Sequence, residues 1–583
     1  MGIESRRSIL IALLALSVAP YFVNLGVSAI WDANEAFYVQ TPREMLERGD
    51  LVLPTFNYEP RLNKPVLSYW IVAAFYTVFG VSPGVQRLPI AIGGLVLIGV
   101  ALLLARAGWP GPRTQALDAG LWAALGLAVS PRLLLFARRI FIDIYISMFM
   151  ALTLLFFALA ERHPQRRRTF LGLMYVAIGL ATLTKGPMAI ALPGLVFLLY
   201  LTLFRELRRV RDLMIPTGML IVAAIVLPWY YALYLRDGWT PIVSFLLGEN
   251  LARFADGVGV NASRGPLFYI PVVFSDALPW SVFLPAAAAW WFADRRQATL
   301  GPDGRVRALL WLWILVIVGF FSLSEAKQDL YIFPIVPAVA ALASIALVRG
   351  ASALPARPAS FVRWGAVLTA ALLLILGAGV LFVFRGSGSD PSIPPPSAAA
   401  VHLDGVLPVG AVALCGGIAA LAAALRHRLL AASLLVAATL AAANWLIVLR
   451  VLPGFEVYKP VPALARDLAG RAAAADGIAT YNIAVPSLVY YLGRRVEMAY
   501  DPAPIVGLLE SDRRVFVIVQ NEDYAILRSS SRVTTCVLST YPTFDLKLRD
   551  VLADEPLPRL LLITNRCEPQ GTRAPGDASG TQR

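Results

Sequence analysis

Residues 30–69 read IWDANEAFYVQTPREMLERGDLVLPTFNYEPRLNKPVLSY, and the way this stretch ends decides the fold. It follows the first long apolar run and precedes roughly 400 residues that are mostly compatible with lipid. It packs Asp32, Glu35, Glu44, Glu47, Asp50 and Glu59 among Arg43, Arg48, Arg61 and Lys64, in a chain only 15% charged. So dense a polar insert between hydrophobic segments is costly to hold against a membrane, which marks it as the part that carries the chemistry. Glu44 and Glu47, with Arg43 and Arg48, read as the solvated face of a short helix.

The 583 residues are 58% hydrophobic, with a mean hydropathy of +0.68. Many apolar runs approach the ~20 residues that cross a bilayer, so the chain reads as a polytopic α-helical membrane protein. The net charge of +14 sits in short loops between these runs. That is the pattern of membrane topology, and it excludes nucleic acid as a partner. Cys415, Cys536, Cys567, His163, His402 and His427 are scattered without metal-ligand spacing, so no metal is expected. The run 9–30 is too long for a signal-peptide core and reads as a retained first span. Asn261-Ala262-Ser263 matches a glycosylation sequon, read as chance in a bacterial protein.

Arg6 and Arg7 precede the first span, 8–29, so its start is cytoplasmic and the loop 30–65 lies outside. The next apolar piece, 64–80, is short. If it crossed, the basic loops 161–168, 204–212 and 293–307 would all fall outside, against the positive-inside rule. Read as an interfacial helix, it restores the rule. Spans then fall at 85–105, 118–135, 140–160, 169–184, 188–204, 214–234, 268–292, 308–323, 330–348, 361–384, 408–425 and 428–450. With the first span that makes about thirteen. The second large outer loop is 235–267. The chain therefore divides into a membrane domain, 1–452, a small outer-face domain, 453–568, and a polar tail, 569–583, that reads as disordered. In the second domain GIATYN, RVEMAYD, RRVFVIVQ, TTCVLST and PRLLLIT read as strands alternating with short helices. Cys536 and Cys567 both lie there, as a disulfide or as two free thiols.

This topology gathers the unusual polar residues on one face. Asp32, Glu35 and Lys64 lie in the first outer loop, Asp143 opens a span, and Lys185 sits in the turn TKGP. Glu249, Asn250 and Arg253 lie in the second outer loop, and Lys327 and Tyr331 in the turn SEAKQDLY. Of five lysines, the first three fall at outer boundaries, where positive charge is disfavoured. Lysine and arginine beside carboxylates at headgroup depth suit a lipid phosphate. Structural readings stand beside this one: Lys185 as a helix cap, Asp143 paired with Arg139, and Arg138 and Arg139 as headgroup anchors.

These residues resemble the C-type (GT-C) integral-membrane glycosyltransferases that use polyprenyl-phosphate sugars, the lipid A aminoarabinose transferases and, further away, the protein O-mannosyltransferases. The resemblance rests on Asn34-Glu35-Ala36-Phe37-Tyr38, Arg43-Glu44-Met45-Leu46 with Gly49-Asp50, and Lys64-Pro65-Val66-Leu67. It continues in Asp143, Thr184-Lys185-Gly186, Glu249 with Arg253-Phe254, and Ser324, Lys327 and Tyr331. It covers roughly residues 1–350. Three positions depart from the pattern: Asn34 replaces an acidic residue, Asn63 a glutamate and Asn250 a histidine. The last two can hold a metal in the aminoarabinose enzyme, so none is expected here, and that sugar is put in doubt.

The resemblance implies transfer of a sugar from an undecaprenyl-type phosphate donor to a glycolipid or protein acceptor, on the periplasmic face of a bacterial inner membrane and without a cofactor. Lys64 and Arg253, with Lys185, Lys327 and Tyr331, would bind the donor and stabilise its leaving phosphate. Asp32 would be the general base, Glu35 would position the donor or the base, and Asp143 would orient the sugar. A transporter or flippase of lipid-linked sugars is the alternative. It fits less well, because the charges cluster at one interface and no internal repeat is visible.

Overall fold

A computed structural model of the chain describes residues 3–32, 34–139, 142–252, 264–294, 301–351, 356–384, 403–543 and 558–567. The chain forms two compact units, the first ending at Glu456 and the second beginning at Val457.

The first unit is helical. Helix α1, Ile3–Val18, runs into a single 3-10 turn at Ala19–Tyr21, and the first span ends there rather than at residue 29. The cause lies far away in sequence. Arg138 donates to the carbonyls of Pro20, Val23 and Asn24 at 2.5, 2.7 and 3.1 Å. Arg87 donates to those of Leu25, Ser28 and Ala29 at 2.8, 2.6 and 2.9 Å. Two arginines thus satisfy a buried backbone that would otherwise have to coil into a helix.

Helix α2, Asn34–Arg48, leads to a two-strand ribbon, β1 (Thr55–Phe56) with β2 (Glu59–Pro60). Glu47 pairs with Arg43 at 2.7 Å on the solvated face. Glu44, expected on that face, is buried instead: it accepts from Gln40, Thr55 and the Tyr58 N–H at 2.9, 2.7 and 3.1 Å, which pins the ribbon to α2. Helix α3, Leu67–Phe79, has 13 residues. At 1.5 Å each it is about 20 Å long, too short for a ~30 Å hydrocarbon core.

Then follow α4 (Pro83–Ala107), α5 (Arg113–Ala128), α6 (Pro131–Ala137), α7 (Ile142–Arg162), α8 (Arg167–Lys185), α9 (Met188–Leu203) and α10 (Ile215–Asp237). The rest are α11 (Tyr269–Asp276), α12 (Leu284–Asp294), α13 (Pro302–Leu323), α14 (Val336–Gly350), α15 (Ala356–Val383), α16 (Val406–Leu425) and α17 (Leu429–Leu446). Among the described residues, eight helices are long and apolar enough to cross a membrane, or ten if two bent pairs each count once. Both bends fall at prolines, which cannot donate to a continuing helix. The α5–α6 pair turns by 63° at Ser130-Pro131, and residues 266–276 and 280–293 turn by 111° at Pro279. The shortfall from the thirteen expected spans is physical. Helices α1 and α9 have 16 residues each, and α8 carries Arg167 and Arg168 at one end and Lys185 at the other.

The second unit holds a five-stranded sheet of β3 (Gly477–Tyr481), β4 (Glu497–Ala499), β5 (Val515–Gln520), β6 (Cys536–Pro542) and β7 (Arg559–Thr564), in the order β4-β3-β5-β7-β6. The first three strands are parallel; β7 runs antiparallel to both β5 and β6. Strand β5 is buried over Val515–Val519 and packs with Ile505, Leu509 and Leu527 of the flanking helices. Cys536 and Cys567 are disulfide-bonded, with Cα atoms 5.6 Å apart.

Candidate active site

Five chain segments of the first unit converge on a cavity of about 260 Å3. Tyr38 of α2 and Arg61, Asn63 and Lys64 from the stretch before α3 form one wall. Asp143, Ile146 and Met150 come from the start of α7, Lys185 from the end of α8, and Met188 and Leu192 from the start of α9. Phe321, Ser324, Gln328 and Tyr331 come from the end of α13 and the turn beyond it. Successive helices alternate in direction, so the starts of α7 and α9 and the ends of α8 and α13 meet at one end of the bundle.

The polar groups sit where helix ends favour them. The Asp143 carboxylate lies in the first turn of α7, at the positive end of the helix dipole, and Lys185 in the last turn of α8, at the negative end. Gly186, at φ +113°, stops α8 directly after Lys185, a conformation that a side chain would strain. The Lys185 ammonium donates to Asp143 and stands 5.0 Å from the centre of the Tyr331 ring. Asp143 thus pairs across the helix hairpin with Lys185, while the Arg139 guanidinium lies 3.4 Å over the ring of Trp31.

The other expected site residues fall elsewhere. Glu35 is buried: it accepts from Arg87 through both carboxylate oxygens, at 2.8 and 2.9 Å, and from the Trp31 N–H at 2.8 Å. It anchors the loop from within and is not among the cavity-lining residues. Asp32 is exposed in the turn before α2 and does not line the cavity either. Lys327 is buried, with its ammonium donating to the Ser324 carbonyl at 2.5 Å; its neighbours Ala326 and Gln328 form the wall. Arg253 lies outside the described residues, as do the side chains of Glu249 and Asn250. Among the described residues, no group of three or more His, Cys, Asp or Glu could hold a metal ion.

The polar lining residues Tyr38, Arg61 and Gln328 were given no site role from sequence. For Arg61 a signal existed, its place three residues before Lys64 in a segment of extended chain. The Arg61 guanidinium lies 3.9 Å over the Phe37 ring, and its Nη1 is buried with no hydrogen-bond partner among the described residues.

The loop beneath this wall is held firmly. Glu456 accepts from the Ser28 hydroxyl and the Ala29 N–H, both at 2.6 Å, and Trp31 stacks on Phe455 at 5.4 Å. Burial pushes the Arg139 guanidinium down to about 10, with Glu35 and Glu456 opposing the shift and Arg87 adding to it. Burial also acts on Asp50, yet the N–H groups of Val52 and Leu53 and the Arg236 guanidinium outweigh it and hold that carboxyl below its usual value.

The chain is similar to known proteins over much of its length. The family described as dolichyl-phosphate-mannose-protein mannosyltransferase matches residues 63–231. An undecaprenyl phosphate-alpha-4-amino-4-deoxy-L-arabinose arabinosyl transferase of Pseudomonas fluorescens (strain Pf0-1) is 30% identical over 370 residues, 62% of this chain and 61% of that one. The corresponding transferase of Pseudomonas aeruginosa (strain LESB58) is 35% identical over 351 residues, 59% of this chain and 60% of that one. The chain thus spans about three fifths of the length of the curated relatives it matches. The crystal structure of ArnT from Cupriavidus metallidurans bound to undecaprenyl phosphate superposes with a TM-score of 0.75 at 23% identity, over 96% of this chain and 99% of that one. The chain is thus similar in fold to that ArnT structure across nearly its whole length, and similar in sequence to the arabinosyl transferases across about three fifths of it.

Proposed function

We propose that the chain transfers a sugar from an undecaprenyl-type phosphate donor to a glycolipid or protein acceptor, on the periplasmic face of a bacterial inner membrane. The observation that carries this reading is the meeting of Lys64, Asp143, Lys185 and Tyr331 around one cavity at one end of the helical bundle. The relatives named for undecaprenyl phosphate-linked aminoarabinose supply the donor class. Residues 1–452 form the catalytic membrane domain. If α1, α8 and α9 also cross, the spans rise from ten to about thirteen. Residues 453–568 form a periplasmic domain, and the Cys536–Cys567 disulfide supports that oxidising side.

In the reaction an acceptor oxygen attacks the anomeric carbon, and the bond from that carbon to the phosphate oxygen breaks. The leaving lipid phosphate gains negative charge. Lys64, with Arg253 from the second large loop, stabilises it where water is excluded. Asp143 takes the acceptor proton, and Tyr331 bounds the sugar side. Lys185 couples the two events: a donor phosphate that draws its ammonium away releases the Asp143 carboxylate to act as base. Asp32 and Glu35 stand off the cavity and serve the loop.

The test is transfer from a labelled undecaprenyl-phosphate sugar by purified protein in a bilayer. Lys64→Gln is expected to lower turnover by about 10²–10³-fold, the cost of one lost oxyanion donor. Turnover like that of the wild type would remove Lys64, and with it this reading of the cavity.

A further inference from the structure

The turn that joins α13 to α14 shows alternate residues to the cavity. Ala326, Gln328 and Leu330 line it, while Lys327 and Asp329 between them do not. That is the alternation of extended chain, and Gln328 has such dihedrals, φ −126° and ψ 142°. Three consecutive residues of the turn are held by partners that do not line the cavity. The Lys327 carbonyl accepts from the Arg264 guanidinium at 3.2 Å, and the Gln328 carbonyl from the Tyr269 hydroxyl at 3.0 Å. The Asp329 carboxylate accepts from Nη2 of Arg132, which stands in α6 directly after the Pro131 bend.

Nε of Arg132 donates to a second acid, Asp276 at the end of α11, at 3.0 Å. The two acids are unlike: the Asp276 side chain is 1% exposed and that of Asp329 41%. Swinging the guanidinium away would strand a buried carboxylate, so Asp276 fixes Arg132. The Phe136 ring, its centre 4.2 Å from the guanidinium, adds to this. Arg132 thereby gives the more exposed Asp329 a partner that stays in place. Asp329 passes the restraint on, since its Oδ1 accepts from the Leu330 N–H at 3.0 Å. Tyr331 follows, its ring centre 5.0 Å from the Lys185 ammonium that donates to Asp143. Joining two acids through separate nitrogens needs the planar fork of arginine, which lysine lacks.

From this, and resting on the glycosyl-transfer reading above, we infer that Arg132 is a positioning residue for the transfer. Anchored by Asp276, it holds Asp329 and so sets where Gln328 and Tyr331 stand on the cavity wall. It acts on how the sugar is held and not on the lipid phosphate.

The full-length protein in lipid nanodiscs tests this with three readouts: amide hydrogen exchange of the turn, equilibrium binding of undecaprenyl phosphate, and turnover. The donors are undecaprenyl phosphate carrying 4-amino-4-deoxyarabinose or glucose, whichever wild type turns over. Asp329→Ala leaves the Arg132–Asp276 pair intact and is expected to melt like wild type. Its turn exchanges faster and kcat falls about tenfold, while affinity for the sugar-free carrier stays within about twofold. Arg132→Lys still pairs the buried acid and loses turnover to the same extent. In a Tyr331→Leu background, Asp329→Ala costs less than about twofold more, because the side chain it acts through is gone.

Three results overturn the inference while leaving the transferase reading intact. They are unchanged exchange of the turn in Asp329→Ala, wild-type turnover in either single variant, and losses that multiply in the double variant. Folded wild-type protein that turns over neither donor and binds no undecaprenyl phosphate would overturn the transferase reading. Exchange of the turn in the variants would then still report whether Arg132 holds it.

Discussion

At one end of the α7–α8 hairpin Asp143 meets Lys185; at the other, Glu161 meets Arg167 and Arg209, at 3.1 and 2.7 Å. The residue types are alike, and the surroundings differ. Glu161 also accepts from the Tyr200 hydroxyl at 3.2 Å, and Arg209 continues to Glu206, which Arg305 holds in turn at 2.8 Å. Arg305 first, and Arg209 with it, keep the Glu206 carboxyl down at about 2 against the opposing effect of burial. This end is an extended network in which each acid is shared between bases, and Arg167 Nε and Nη2 are buried in it without a hydrogen-bond partner among the described residues. The Asp143–Lys185 end instead opens on a cavity. A closed ion network fixes helices. One that opens on a cavity leaves charge within reach of a ligand, and residue type alone does not tell the two apart.

Substitutions at the closed pairs sharpen the contrast, because their cost should appear in stability and not in chemistry. Glu35 and Arg87 form the most buried pair, with side chains 2% and 1% exposed. Glu35→Gln strands a buried guanidinium, and a loss of about 3–5 kcal/mol is expected. It should be read as a lower melting temperature and a smaller folded yield, with turnover per folded molecule retained. A normal melting curve with lost turnover would move Glu35 back into the chemistry. Glu161→Gln is expected to cost less, about 1–3 kcal/mol, since the amide still accepts one hydrogen bond and the site is nearer solvent. Its turnover should stay within twofold of wild type. A tenfold fall would mean that the two ends of the hairpin are not independent.

Much of the layout was legible in the sequence for a simple reason: loop charge and span length report on membrane parity. Reading the short apolar piece that begins at Lys64 as a helix that does not cross put Asp143, Lys185 and Tyr331 on the face of Lys64, and all four line one cavity. The strands of the second unit fall in runs of β-branched and apolar residues such as VFVIV, bounded by turn residues. What was not legible depends on partners distant in sequence. Residues 22–30 are apolar enough to be a helix, and partners in other elements, Arg87, Arg138 and Glu456 among them, hold their backbone in another form. Glu35 was expected to position donor or base, and nothing local in the sequence shows that its carboxylate is held by the buried Arg87. Asp32 was preferred as base for its place near the matched motif, and the fold puts it in an exposed turn off the cavity. Arg61 was passed over because arginine in a loop is common, and its place three residues before Lys64 does not by itself tell a cavity-lining guanidinium from a solvated one.

The claim that carries the account is that transfer happens at the Asp143 cavity and not at the loop acid. One measurement addresses it directly: turnover of a labelled undecaprenyl-phosphate sugar by Asp143→Asn and Asp32→Asn, side by side in the same bilayer preparation, each normalised to folded protein. Loss of a positioned general base costs about 10²–10⁴-fold, so Asp143→Asn should fall by that factor while Asp32→Asn stays within a few-fold of wild type. Lost turnover in Asp32→Asn with turnover retained in Asp143→Asn would contradict it.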